Sequence, residues 1–209
     1  MIRFLRHLGL ALAALLLVGG GTVALLGETS APGLRTWWRQ AAGLTLPLPG
    51  RLALVDAVSG RPFTDADLRG RWTLLYFGYT FCPDVCPTDL AAAVQALALM
   101  GKKANAVTPV FVTVDPARDS RDVLARYVQL FSPRLVGLTG SASAITEAER
   151  MFRVYAVKQP IPHGGGAYLM NHSAFFYLVD PEGEAVSMLS PDLQPRGLAQ
   201  AMEEKLNRH

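Results

Sequence analysis

The stretch Trp72-Thr73-Leu74-Leu75-Tyr76-Phe77-Gly78-Tyr79-Thr80-Phe81-Cys82-Pro83-Asp84-Val85-Cys86-Pro87 decides the fold. Its opening run, Trp72–Phe77, is nearly all apolar or aromatic, as a strand buried on both faces requires. Over Val85–Met100 apolar side chains recur at helical spacing, at Leu90, Val94, Leu97 and Leu99. A buried strand therefore runs through a short turn into a helix, and that turn and the helix start hold both cysteines of the chain.

The same alternation continues outward. Upstream, Leu52–Val55 is a short apolar run ending at a turn around Ser59-Gly60. Downstream, Val110–Val114 reads as a second buried strand, and Ser120 caps a helix over Arg121–Phe131 with Val123, Leu124, Tyr127 and Leu130 on one face. Leu135–Leu138 is a short strand, and Ser141 opens a helical stretch with Ile145, Ala148, Phe152 and Tyr155 in register. Phe175–Val179 and Ala185–Leu189 flank the turn Asp180-Pro181-Glu182-Gly183 as a hairpin, and Pro195–Leu206 closes the chain as a helix. Strands separated by helices predict parallel pairing through crossovers, and the last hairpin predicts an antiparallel edge. The class is α/β, a mixed sheet flanked by helices. Lys158–Tyr168 breaks the rhythm with Pro160, Pro162, His163 and Gly164–Gly166, and reads as an exposed loop.

The chain has 209 residues, half of them apolar and 18% charged, which excludes a disordered polymer. Its net charge of +3 and the lack of a basic cluster argue against nucleic acid as a partner. Two cysteines are too few for a disulfide-stapled scaffold or a four-cysteine metal site. Leu8–Leu26 carries no charge and follows Arg3, Arg6 and His7. A helix of that length nearly crosses a bilayer, and the basic flank stays in the cytoplasm. Residues 1–27 are thus expected to be an N-terminal transmembrane anchor, or a cleaved signal peptide. Residues 28–50, with Trp37-Trp38 between Arg35 and Arg39, form a linker, and 51–209 form the exported domain. The expected location is the inner membrane, single pass, with the domain on the periplasmic side.

Cys82-Pro83-Asp84-Val85-Cys86 places two thiols four residues apart at a helix start, where the positive end of the helix dipole favours thiolate. A structural disulfide, a metal site and a redox pair all fit that motif. The first candidates for a third ligand are the four histidines of the chain. His7 precedes the anchor and His209 ends the chain, which leaves His163 in the glycine-rich loop and His172 just before a strand. Two thiolates and an imidazole suit Cu(I), and Cu(II) with rearrangement, whereas structural zinc calls for a fourth ligand. Met170, two residues from His172 on an extended chain, is a further soft donor whose commoner role is core packing.

Phe77-Gly78-Tyr79-Thr80-Phe81-Cys82-Pro83-Asp84-Val85-Cys86-Pro87-Thr88 resembles the signature of the Sco/SenC proteins. Val114-Asp115-Pro116-Ala117-Arg118-Asp119-Ser120 resembles that family's second block, and Asn171-His172-Ser173 its third. The resemblance spans roughly residues 50–190. It implies a membrane-anchored, thioredoxin-like copper-binding domain, with copper ligands at Cys82, Cys86 and His172. It also implies acidic residues near the metal at Asp84 and Asp115, and copper delivery to the dinuclear centre of cytochrome c oxidase. The implied partners are the copper-accepting oxidase subunit or another copper chaperone. Asn171 departs from the family's usual Asp, removing a charge beside the histidine. The same tripeptide matches a glycosylation pattern, read as coincidental here. A thiol–disulfide oxidoreductase acting through Cys82 and Cys86 is the competing reading, and three rather than two residues between the cysteines favours copper. A one-cysteine peroxidase would need an arginine beside the thiol, with Arg118 and Arg153 as candidates.

Overall fold

The computed structural model describes Leu48 and residues 50–208. The expected anchor over 1–27 lies outside those residues, as does nearly all of the linker. No helix among the described residues is long and apolar enough to cross a membrane.

The described residues form nine strands: β1 (Ala53–Asp56), β2 (Pro62–Thr64), β3 (Trp72–Gly78), β4 (Val107–Thr113), β5 (Val136–Thr139), β6 (Ala156–Pro160), β7 (Tyr168–His172), β8 (Phe176–Val179) and β9 (Ala185–Leu189). Four α-helices among the described residues accompany them: α1 (Val85–Met100), α2 (Arg121–Gln129), α3 (Ala142–Phe152) and α4 (Gln194–Leu206). Seven strands form one sheet in the order β2-β1-β5-β4-β3-β8-β9. β3–β4 and β4–β5 pair in parallel, and every other pair in that sheet is antiparallel. All seven residues of β3 are buried, as a strand with neighbours on both sides and layers on both faces must be. Its C-terminal end delivers Gly78 and the turn that carries Cys82.

Both serine caps form. Ser120 Oγ accepts from Val123 N at 3.4 Å, and Ser141 Oγ accepts from Ala144 N at 3.2 Å. α1 packs against α4, α2 lies against β5 and α3 against β1.

Three expectations need correction. The first strand is not parallel to its neighbour: β1 runs antiparallel to β5, and the added strand β2 folds back on β1. Leu99 and Leu130 are exposed rather than in the core. On α1 the buried positions are Cys86, Asp89, Leu90, Ala93, Ala96, Leu97 and Met100, and two residues past Leu97 the helix has turned Leu99 outward. Leu130 lies past the end of α2, and Val128 takes the core place instead. Tyr155, likewise past its helix, is exposed after Arg153 ends α3 in the left-handed region.

The third correction concerns Lys158–Tyr168. Its two ends are strand, because β6 and β7 pair as an antiparallel hairpin outside the main sheet, from Ala156↔His172 to Pro160↔Tyr168. Proline at the strand end is tolerated there, and only the tip is a loop. His163, Gly165 and Gly166 adopt positive φ in that tip.

Glu149 on α3 is half-buried, and burial pushes its carboxyl up to about 7 from an ordinary 4.5. Its folded form holds a proton that its unfolded form releases, so stability is lost as pH rises from ~4.5 to ~7. Glu149→Gln should therefore raise stability at pH 8 by on the order of 1 kcal/mol after solvent screening. The gain should vanish below about pH 4, where the native carboxyl and most of the unfolded one are protonated. Urea unfolding of both chains at pH 4 and pH 8 measures this, and an equal gain at both values would refute it.

Candidate metal centre

α1 begins at Val85, so Cys86 sits in its first turn and Cys82 in the turn before it. The backbone folds back there, with Cys82 N donating to Tyr79 O at 3.3 Å. That curl aims the Cys82 sulfur at the open amides of the helix. Cys86 N donates to Cys82 Sγ at 3.4 Å, which is how the helix N-terminus reaches the thiol. Both cysteines are free and buried.

His172 ends β7 and turns its ring to the same place. Its Nε2 lies 3.3 Å from Cys86 Sγ, and its Nδ1 lies 3.1 Å from Ser173 O. A carbonyl can only accept, so Nδ1 carries a hydrogen toward Ser173 O, and Nε2 is the ring atom that faces the sulfurs. The ring is fixed edge-on by Tyr76 and Tyr79, at centroid distances of 6.3 and 5.8 Å. The ligand atoms of Cys82, Cys86 and His172 all lie within 4.8 Å of one another. No other such cluster occurs among the described residues.

The two thiols are not equivalent. Cys82 is brought down to about 3, first by the Cys86 thiol as donor and then by the His172 ring and the amides of Asp84 and Cys86. Cys86 is pushed up, by that same sulfur neighbour and by burial. The pair therefore loses its first proton from Cys82, and Cys86 keeps the second.

The SCO1/SenC family model matches residues 47–207. The chain belongs to the SCO1/SenC family.

Among its relatives, sco1 of Schizosaccharomyces pombe is 39% identical over 157 residues, covering 74% of this chain and 59% of that protein. The mitochondrial SCO2 of Saccharomyces cerevisiae is 33% identical over 205 residues, covering 94% and 66%. The chain thus spans about half to two-thirds of the length of such curated relatives. ScoI of Bradyrhizobium japonicum, solved with copper bound, is 39% identical with a TM-score of 0.69, covering 76% of this chain and 99% of that one. ScoI of Arabidopsis thaliana, also with copper bound, is 34% identical with a TM-score of 0.72, covering 78% and 100%. The fold is the mixed α/β, thioredoxin-like fold of the Sco proteins.

The other family positions fall in different places. Asp84 precedes α1 with an exposed side chain that makes no cap. Asp115 is buried, ion-paired with Arg118, and accepts from Tyr168 Oη at 3.0 Å. Asn171 is exposed. Met170 is buried and faces a cleft of about 570 Å³ shared with Asp115 and Glu149. His163 is exposed at the hairpin tip. Arg153 is also exposed, and Arg118 is ion-paired with Asp115.

Two supports escaped the sequence reading. Asp119 is fully buried and accepts from Thr80 N at 3.0 Å, Thr80 Oγ1 at 2.6 Å and Thr113 Oγ1 at 2.6 Å. It ties the cysteine turn to the end of β4. Beneath the site, Tyr76 Oη donates to Asp89 Oδ2 at 2.7 Å. The signal was an acid three residues after Cys86 on the apolar face of α1, opposite a tyrosine in an apolar strand.

Proposed function

We propose that this protein is a copper chaperone. It binds one copper ion through Cys82, Cys86 and His172 and passes it by ligand exchange to the copper centre of cytochrome c oxidase. The observation that carries the reading is the convergence of two sulfurs and one imidazole nitrogen within 4.8 Å. That donor set is soft and low in number, which fits Cu(I), while the imidazole adds affinity for Cu(II). The deprotonated Cys82 is ready to ligate, and the partly exposed imidazole offers an incoming ligand a place to displace it. Membership of a family whose solved members include copper-bound ScoI supports the same metal. The acceptor is a copper-accepting oxidase subunit or another copper chaperone. The domain is placed on the periplasmic side of the inner membrane, held by one N-terminal span, on the strength of the sequence before residue 28.

Copper titration of the reduced full chain, with X-ray absorption on the product, tests this. One copper with two sulfur and one nitrogen neighbours is expected. In His172→Ala the nitrogen should disappear and Cu(II) affinity should fall, with Cu(I) retained by the thiolates. Copper bound by that variant as tightly as by the unmodified chain in both oxidation states would end the three-ligand model.

The low-lying Cys82 thiol favours one second reading, reduction of a partner disulfide. The Cys82 thiolate would attack the disulfide, forming a mixed disulfide and releasing one partner thiolate. Cys86 would then attack the Cys82 sulfur, release the second thiolate and leave a Cys82–Cys86 disulfide. A Cys86→Ser variant that traps no mixed disulfide would count against it.

A further inference from the structure

The metal ligands come from two pieces that share no backbone ladder. The cysteines sit where β3 meets α1, and His172 sits on the β6–β7 hairpin, which forms a sheet of its own. Tyr76 and Tyr79 meet the imidazole edge-on, but the hairpin backbone that carries it needs ties of its own to the cysteine turn. Arg118, in the turn after β4, touches both pieces. Toward the hairpin, its Nη1 donates to Tyr168 O at 2.9 Å, and its guanidinium lies 3.8 Å from the Tyr168 ring centroid. Toward the cysteine turn, it lies 5.0 Å from the Phe81 ring, next to Cys82, and 5.6 Å from the Tyr79 ring. Its own position is fixed by Nε donating to the buried Asp115, which also accepts from Tyr168 Oη.

We propose that Arg118 is a positioning residue that latches the hairpin carrying His172 onto the cysteine turn, and so sets the third ligand's reach to the metal. Resting on the copper reading above, the inference adds that the affinity contributed by the imidazole is controlled four residues away along β7, at Tyr168. The guanidinium does what an ammonium cannot. Its planar fork serves a carboxylate and a carbonyl at once while its face lies on an aromatic ring. Other ties exist, since Ser173 N donates to Tyr155 O at 2.9 Å and Tyr155 N donates to Ser173 Oγ at 3.1 Å. These close the base of the hairpin on itself, whereas the Tyr79 hydroxyl also meets the backbone of Met170 and ties the cysteine turn to β7 beside Arg118.

The test compares the full chain with Arg118→Lys and Arg118→Ala, with and without copper. In the metal-free protein, amides of β6 and β7 should exchange about tenfold or more faster in both variants, while those of β3 and β4 keep their protection. Cu(II) affinity should fall by about 10–100-fold, the range for losing a support of a metal ligand, and the nitrogen signature of bound Cu(II) should weaken. Cu(I), held by two thiolates, should change much less. In a His172→Ala background, Arg118→Lys should cost no further Cu(II) affinity, because the latch acts through the imidazole. Hairpin exchange and Cu(II) binding like those of the unmodified chain in both variants would overturn the proposal. Equal loss of protection across β3, β4 and the hairpin would overturn it too, since Arg118 would then be a general support. Lysine restoring both readouts would remove the role given to the fork. If His172→Ala left copper binding unchanged, the three-ligand reading would fail, and the metal-free exchange result would still decide the latch.

Discussion

Cys86→Ser should lose tight Cu(I) binding, with affinity falling more than about 100-fold. Removing a partner that merely orients a metal ligand costs about 10–100-fold, so removing a soft ligand should exceed that range. Cys82→Ser should fall as far, but for a different reason. Cys82 is the thiol that ionises first, held low by the Cys86 thiol and by helix amides, so its loss removes the ready-made thiolate. Cys86 is the buried partner that gives up its proton only when metal replaces it. Proton release on Cu(I) binding should therefore come mainly from Cys86, and Cys82→Ser should still release a proton while binding weakly. Competition against a chromophoric Cu(I) chelator measures the affinities. A serine variant within tenfold of the unmodified chain would remove that cysteine from the ligand set.

Gly78→Ala should damage both stability and the metal centre through one methyl group. A Cβ on Gly78 would stand 2.8 Å from Phe111 Cε2, 3.0 Å from Cys86 Sγ and 3.1 Å from Tyr76 Cε1. Phe111 and Tyr76 are fully buried, so neither ring has free space to move into. The clash is tightest on Phe111 and next on Cys86, whose sulfur lies over the bare glycine. Overpacking of this kind costs about 1–3 kcal/mol. For a chain of this size that lowers the melting midpoint by roughly 2–12 °C. Copper affinity should drop together with it, because the sulfur is displaced. Calorimetry and copper titration on the same sample check both. An unchanged midpoint with unchanged affinity would show that the neighbours yield without cost.

Much of this architecture was legible from local pattern. β3 shows as an apolar run, α1 has the bounds its periodicity suggests, and both serine caps sit where a polar residue precedes an apolar helical face. The β8–β9 hairpin follows from its turn residues. Local pattern misled where the deciding forces were not local. The hairpin ends at Lys158 and Tyr168 look like loop because proline and glycine dominate between them, yet cross-strand pairing and the Arg118–Tyr168 contact order them. Leu130 looks like core because it is apolar and near register, yet α2 stops before it.

By itself the sequence determined the α/β class, the cysteine pair at a strand-to-helix turn, and a short candidate set for the third ligand. Each of these depends on residue type and spacing within about twenty positions. Only the tertiary structure decided that His172 Nε2 meets the sulfur of a residue 86 positions away, while His163 stays exposed at a hairpin tip. It alone decided which thiol ionises, because that depends on the Cys86 thiol and helix amides converging on Cys82. It alone gave Asp115, Asp119 and Arg118 their separate tasks within one short block. Hydrogen bonds and ring contacts act over a few ångströms, and chain folding, not chain order, sets those distances.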